Sequence, residues 1–566
     1  MNYTRQPAKE VQLPARLPLV GLPNQRLADP ATDSRLINGY IELGDDGVIR
    51  TVKRPGLALT YDVGIAYGAG LHTAFDSVFA IFYVPIEGGF TGKLYRDGVF
   101  VTNLDTYPAS TTIPPTRYYS MEFVPHLNDG VLFFHNGYVA YTVDGSLALR
   151  QVFLQGTTIG PLTCGITDTS AIVTAVSTSG LTVYATVAGT GIPAATFIES
   201  IDSPTQFTMS APATATNAAA ALSFVRSGPG DVGTGAKRLA DGVVDLNKST
   251  YLLTLRAVVQ GSDLDTPYAW NPLNRIIAYA NQDNAIAISK QLSYIIVFKS
   301  ESIEFFRDAG LSPGSPLERL EGLRMDVGCN AGRTVQTVDG VVLWVSSTKS
   351  GLRSVWMLDG MKPREIATPA VRRLLETIEP TQSLSFSSNG HSFYIISAPA
   401  SGVTFVYDLT AQHWGFWKGN ATADFPYVAA ASGPDAATGE RKTYLQHRDN
   451  GQVVELTPLA SEDFGLPTTM EIFPPQYDAG MRVSKYLNRM YAICDQTSGP
   501  SMLEVRINDS DQASAAWSDW RPFDLTHPRP AIWQCGSFTK RWFHFRHVGG
   551  SIRVIAVELD LIPGTL

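Results

Sequence analysis

Gly310-Leu311-Ser312-Pro313-Gly314 has the G-x-S-x-G spacing of a hydrolase nucleophile elbow. That elbow uses the N–H after the serine as an oxyanion donor. Pro313 stands there without an N–H, and no helical pattern follows, so Ser312 is not expected to be catalytic. The glycine-rich run Gly228 to Lys237 resembles a phosphate loop in glycine content alone. Lys237 does not directly follow Gly235, and Arg238 stands where Ser or Thr would reach magnesium.

His544 and His547 lie three apart in a strand-like run, which points them to opposite faces and disfavours a shared metal. His391 and His413 sit among aromatic residues, where packing is the expected role. Asp45-Asp46 and the pair Asp263 and Asp265 fall in turn-like contexts that favour solvated turns. Cys164, Cys329, Cys494 and Cys535 have no metal-ligand spacing and are too sparse for a disulfide framework, so buried free thiols are expected. No catalytic, cofactor-binding or metal-ligating residue is assigned, no cofactor is expected, and the chain reads as a non-enzyme.

The elements that would position any site repeat. From Ser289 to Trp417, an apolar strand-like run is followed three times by a turn, a second strand and an Asp-led turn. The turns are Asp308-Ala309-Gly310, Asp359-Gly360 and Asp408-Leu409-Thr410, spaced by 51 and 49 residues. Asp bonds its own backbone and Gly accepts positive φ, which suits tight hairpins. The phrase recurs upstream at Asp97-Gly98 and, 47 residues later, at Asp144-Gly145. A shorter copy turns at Asp449-Asn450-Gly451. A strand-rich unit near 50 residues is the period of a β-propeller blade. One further repeat is expected around 250–287, where YLLTLRAVV and NRIIAYA are strand candidates.

Residues 160–228 break this pattern with Ser, Thr, Ala and Gly and almost no charge; they read as a small inserted all-β module, a sandwich. NAAAAL within it is too short for a free-standing helix. Thr368 to Ile378 is the best helix, with Thr368 as cap, Pro369 in the first turn and Val371, Leu374, Leu375 and Ile378 on one face. Five prolines, from Pro7 to Pro30, make the first 34 residues an extended arm, laid across this chain or reaching a neighbour. A hairpin around Gly44 to Gly47 follows. Residues 460–475 read as a linker, and 476–566 as strands including RMYAIC, MLEVRIND, RWFHFRHV and IRVIAVELDL.

Charged residues make up 17 % of the 566-residue chain, and the formal charge is −8. There is no global basic field for gripping DNA phosphates. No run approaches the ~20 apolar residues of a membrane helix, and the first residues have no apolar signal region. A soluble protein made in a cytoplasm is expected.

Several phrases resemble the packaged-DNA stabilisation, or tail accessory, proteins of short-tailed bacteriophages. They are SRLINGYIE (Ser34 to Glu42), RTVKRPGL (Arg50 to Leu57), QLSYIIVFKSESIEFF (Gln291 to Phe306), GCNAG (Gly328 to Gly332), NGHSFYIISAPASGVTFVYDLTAQHW (Asn389 to Trp414) and DSDQASAAW (Asp509 to Trp517). The family usually carries Cys where Gly39 stands here, and an intact Asp-Gly-Gly turn near Trp517, and this chain departs from both. The segment NDSDQASAAWSDW (Asn508 to Trp520) is also similar to the Asp-box turn of sialidase propellers, a fold-stabilising element, with Gln512 and Ser514 in place of its Asp and Gly.

The resemblance implies an irregular β-propeller and a structural role. A homo-hexameric ring, a hub or nozzle, would sit beneath the portal and its adaptor protein in the virion tail after assembly in the host bacterial cytoplasm. It would close the head after packaging and form the DNA exit channel, passing double-stranded DNA without sequence-specific binding. Tail fibres, spikes or a needle would attach to it. Low charge and many aromatics suit subunit interfaces, and six copies at −8 each would repel phosphate.

The expected layout is mainly β: 1–60 extended N-terminal arm and first hairpin; 61–159 first part of the propeller; 160–228 inserted module; 229–460 second part of the propeller; 461–566 C-terminal β region. The alternative reading is a glycan-binding or glycan-cleaving propeller that recognises the host surface, with Trp414, Phe416 and Trp417 as a stacking patch.

Overall fold

The computed structural model describes residues 15–19, 35–44, 47–108, 118–125, 130–154, 156–230, 238–347, 351–435, 438–457, 460–510 and 517–564. Six four-stranded antiparallel meanders follow one another along the chain. Blade 1 spans Tyr67–Pro108, blade 2 Ser120–Val152, blade 3 Val244–Ile277, blade 4 Ala285–Arg319, blade 5 Gln336–Glu365 and blade 6 Gln382–Phe416. Blade 7 takes three strands from Tyr427–Pro434, Arg441–His447 and Gln452–Thr457. Its fourth, Gly56–Asp62, comes from the N-terminal part of the chain and pairs antiparallel with Gln452–Thr457.

The second strand of each blade explains the continuous apolar runs. Tyr294–Lys299 is buried on both faces. Ile295 and Val297 pack toward blade 3 with Leu253 and Val259. Ile296 and Phe298 pack toward blade 5 with Val342 and Trp344. Alternate side chains of one strand therefore serve two interfaces. The same division gives a distinct core at every junction. The last, between blades 7 and 1, joins Tyr444 and Val453 to Ala80 and Phe82 and closes the ring.

The Asp turns are hairpin turns, as the spacing predicts, and the structure places them between third and fourth strands. Asp308 Oδ1 accepts from Gly310 N at 2.9 Å, and Asp408 Oδ1 from Thr410 N at 3.0 Å. Asp97 and Gly98 both adopt positive φ, 49° and 81°, matching the right-handed twist of the flanking strands. The expected repeat near 250–287 is blade 3. One copy differs in position: Asp449 to Gly451 lies between the second and third strands of blade 7. No third-to-fourth hairpin exists there, because the fourth strand arrives from a distant part of the sequence.

The inserted module is one six-stranded sheet, running from Thr158–Ile166 to Asn217–Val225, folded over its own core of Cys164, Val173, Phe207, Leu222 and Phe224. Its two edge strands meet at a Thr186–Phe197 bridge. NAAAAL is strand, as expected. Tyr184 Oη donates to Asp263 Oδ2 at 2.8 Å, tying the module to blade 3.

Both chain ends build a further two-layer region. One sheet orders Arg35–Ile37, Thr469–Phe473, Trp542–Val548, Met502–Asn508 and Arg521–Asp524. It continues from blade 6 through the parallel pair Ile37–Phe416. The other orders Gly39–Leu43, Ile49–Lys53, Arg553–Pro563, Lys485–Cys494 and Ala531–Trp533. Leu36, Ile472, Leu487, Val505, Phe545 and Leu559 fill the space between them. Ala15–Leu17 of the proline-rich arm pairs with Val557–Leu559, so this part of the arm lies across its own chain. Residues 460–475 do not form a plain linker: they carry the hairpin Glu462–Asp463 and Leu466–Pro467 and the strand Thr469–Phe473. The helix Pro369–Thr377 forms as read, with Thr368 Oγ1 accepting from Val371 N and Val371 and Leu375 buried.

Candidate interaction surfaces and central cavity

The first strands of the seven blades surround a cavity of about 530 Å3. His72, Glu122, Val244, Lys290, Gln336, Ser385 and Ala430 are wall residues from blades 1 to 7 in turn. This volume is that of a small-molecule pocket (~300–1,000 Å3). It cannot pass a DNA duplex, whose major groove alone is ~12 Å wide. The wall is polar. Lys290 Nζ donates to Asp245 O at 2.7 Å. Burial pushes the Glu122 carboxyl up to about 7, against the opposing pull of Lys290. Burial also lowers His72, whose Nδ1 lies 2.8 Å from Thr73 O.

The GCNAG motif shapes this wall. A Cβ on Gly332 would lie 2.4 Å from Asp241 Oδ2, so only glycine admits the carboxylate there. Arg333 follows directly and lines the cavity, stacked 3.5 Å from the Tyr118 ring centroid. Cys329 is buried below, with its thiol on Ala331 O, and burial pushes its pKa up to about 12.

A second polar centre welds the propeller to the terminal region. Arg54 is fully buried; Nη1 and Nη2 reach the two oxygens of Asp463 at 2.9 and 2.5 Å, and Nε donates to Asn38 Oδ1 at 3.3 Å. Lys53 donates to Gly549 O and Gly550 O, and burial lowers its pKa to about 8. Nearby, His544 stacks on Phe473 with centroids 3.8 Å apart. Arg506 Nε donates to its Nδ1 at 2.9 Å, which makes Nε2 the N–H that donates to Glu471 Oε2, also at 2.9 Å. Lys418 adds a 2.6 Å contact, and these partners, His544 first, hold Glu471 at about 2.

Two stretches of the outer rim are apolar. Blades 3 and 4 expose Leu264, Tyr268, Leu273, Ile277, Tyr279 and Leu311. Blades 7 and 1, about half a ring away, expose Leu59, Ile65, Val99, Phe100, Phe464 and Leu466. Acidic Asp62, Asp97 and Glu462 border the second stretch, and charges of both signs, among them Arg275, Arg324, Glu321 and Asp326, border the first.

The residues singled out in the sequence are scattered over these structures. Ser312 is exposed on the loop between the last two strands of blade 4, and among the described residues no histidine bonds to it. Residues 231–237 of the glycine-rich run lie outside the described residues, as do Asp45, Asp46 and 511–516. Gly228 packs on the backbone of Phe153. His547 bonds Ser501 Oγ at 2.9 Å, on the opposite strand face from His544. His391 Nδ1 lies 2.7 Å from Asp408 Oδ2. Burial lowers His413 to about 4. Asp263 does more than turn the chain, since it receives Tyr184; Asp265 pairs with Lys248 at 3.3 Å. Asp509 takes a bidentate contact from Arg541 at 2.6 and 2.7 Å.

Trp417 is buried and donates to Gly39 O, and Trp414 donates to Ile366 O. With Phe416 on Phe405, all three pack at the junctions of blade 6 with its neighbours rather than form an open platform. All four cysteines are free. Among the described residues no group of three or more His, Cys, Asp or Glu is arranged to hold a metal. No helix among them is long and apolar enough to cross a membrane.

Sequence reasoning did not single out Arg54, Asp463, Arg333 or Lys299, which holds Asp283 and Glu304 at 2.9 and 3.0 Å. A basic residue inside an apolar strand, as in IIVFK, is the signal that could have found Lys299.

Residues 236–432 match the Phage_stabilise family model, described as bacteriophage P22 Gp10, beta-propeller. The match covers about a third of the chain and supports a phage tail or DNA-stabilisation protein, in agreement with the resemblance in the sequence. No curated protein matches the chain. Among solved structures, BamB from Moraxella catarrhalis aligns at 12 % identity and TM-score 0.35, over 72 % of this chain and 97 % of its own. The computationally designed Ika8 protein aligns at 11 % identity and TM-score 0.31, over 75 % and 99 %.

Proposed function

We propose that this chain is a hub, or nozzle, of a short phage tail. Copies ring a DNA exit channel below the portal and adaptor, in the hexameric arrangement the family resemblance implies, and close the head after packaging. The observation that carries this reading is the family match over the propeller. Tail fibres, a spike or a needle attach to the ring, and assembly takes place in the host cytoplasm. The role is structural rather than enzymatic.

The propeller's own cavity is too small for a duplex, so the DNA path lies between copies rather than through a blade ring. The two apolar rim stretches support a head-to-tail contact, blades 3 and 4 of one copy against blades 7 and 1 of the next. Two different patches meeting in this way generate a ring when the rotation closes.

Cryo-EM of the tail tests the reading. Six copies around a DNA-wide channel, with Ile277 and Tyr279 facing Phe100 and Phe464 of a neighbour, are expected. Copies placed away from the channel would overturn the hub; six copies meeting through other surfaces would overturn the rim assignment alone.

A further inference from the structure

We infer that the propeller's central cavity is a binding site for a small oxyanion, a carboxylate or a tetrahedral phosphate-like group, received by the guanidinium of Arg333. A guanidinium offers five N–H donors and no acceptor. Arg333 uses one, Nη2 to Val428 O at 3.3 Å. Its Nε is buried without an acceptor. Among the described residues, no acceptor meets Nη1 and no carboxylate lies within ion-pair distance.

Arg333 itself is half-buried in the cavity wall, and the more deeply buried cations are all given acceptors by the fold: Lys53 and Lys485 meet backbone carbonyls, and three others meet carboxylates. Arg54 has Asp463, Arg541 has Asp509, and Lys299 has Asp283 and Glu304. A buried charge left short of partners is costly. A ligand oxyanion in the cavity would supply the missing acceptor, and Tyr118 holds the guanidinium plane in place from behind. Burial lowers the Arg333 pKa against the opposing pull of Tyr118 and of the Asp241 carboxylate, which acts on it from beyond ion-pair distance.

The remaining charges decide when the site is open to an anion. Glu122, on the first strand of blade 2, faces Lys290 of blade 4 and Asp245 of blade 3. His72, Asp241 and Arg333 share the same wall. Protonating Glu122 removes a negative charge from the cavity, and its carboxyl titrates near pH 7. Anion affinity should therefore rise as pH falls from 8 to 6.

Calorimetric titration of the full chain with sulfate and, separately, with acetate tests the proposal; both probes keep their charge over this range. At least one is expected to saturate a single site, several-fold tighter at pH 6 than at pH 8. A preference for sulfate assigns a tetrahedral group, and a preference for acetate a carboxylate. R333M should weaken binding at least tenfold with an unchanged circular dichroism spectrum, and E122Q should keep binding and lose the pH dependence. No saturable binding of either anion to the unaltered chain at pH 6 would overturn the site. So would full affinity in R333M, or a pH dependence that survives E122Q, which keeps the test decisive even if R333M fails to fold.

Discussion

In the propeller, every core except the one that closes the ring between blades 7 and 1 lies between blades consecutive along the chain, and one strand's alternate residues serve two neighbours. The terminal region instead joins strands more than 400 positions apart, such as Arg35–Ile37 with Thr469–Phe473. The first arrangement needs only local hairpins and a repeat; the second needs both ends of the chain. Loop-closure entropy makes such distant pairing slow to form and places it late. The two meet at blade 7, whose fourth strand, Gly56–Asp62, follows directly on the N-terminal strands of the terminal region. Completing the ring is thereby coupled to building that region.

Removing residues 1–62 attacks this coupling most directly. It takes away the fourth strand of blade 7, Arg54 and strands of both terminal sheets. Thermal unfolding followed by circular dichroism should lose its cooperative transition. A sharp transition in the truncated chain would show that the propeller stands without the terminal region.

Arg54→Met tests the weld itself. It leaves Asp463 buried without its cation and should cost about 3–5 kcal/mol in urea denaturation. The double variant with Asp463→Asn should cost less than Arg54→Met alone, because no uncompensated charge remains.

Two carboxyls separate the regions by pH. Glu471, in the terminal region, is held at about 2, below the ~4.3 of an unfolded chain. Its contribution is present above pH ~4.3 and is lost as pH falls toward 2. Glu122, in the propeller, is raised to about 7, so its contribution is present below pH ~4.3 and is lost as pH rises through 7. Urea midpoints across pH should show Glu471→Gln flattening the acid limb and Glu122→Gln the neutral limb. A shared response would mean that the two limbs do not report separate regions.

The smallest effect is expected from excising the inserted module, 158–225, and rejoining its ends with a short linker. Its core is its own, and closing a loop of different length changes stability by only ~0.6 kcal/mol per doubling. The melting temperature should move by a few degrees at most. A large fall would show that Tyr184 on Asp263 braces blade 3.

Much of the propeller was legible in the sequence. The Asp turns at 97, 144, 308, 359 and 408 mark third-to-fourth strand hairpins because turn chemistry is local: a side chain bonding its own backbone and a glycine at positive φ. The blade 3 repeat, the strand character of NAAAAL and the Thr368 cap are local in the same sense. The Asp449 turn carried the same chemistry but a different place in its blade, since a turn does not record where its outer strand comes from. At the wall of the cavity, GCNAG stood out as a phrase. Arg333 beside it did not, because a lone arginine in sequence gives no sign of its burial or of its missing acceptors.

The sequence by itself determined the blade period and the hairpins. Each of these follows from backbone preference and side-chain alternation over a few residues. Only the tertiary structure decided that seven sheets close the ring, that the N-terminal strand completes blade 7, and that Arg54 meets Asp463 across 409 positions. It alone placed Glu122, Lys290 and Arg333 around one cavity. Those outcomes depend on which distant surfaces can be buried together and which charges must then find partners, and a chain read residue by residue holds no distances between them.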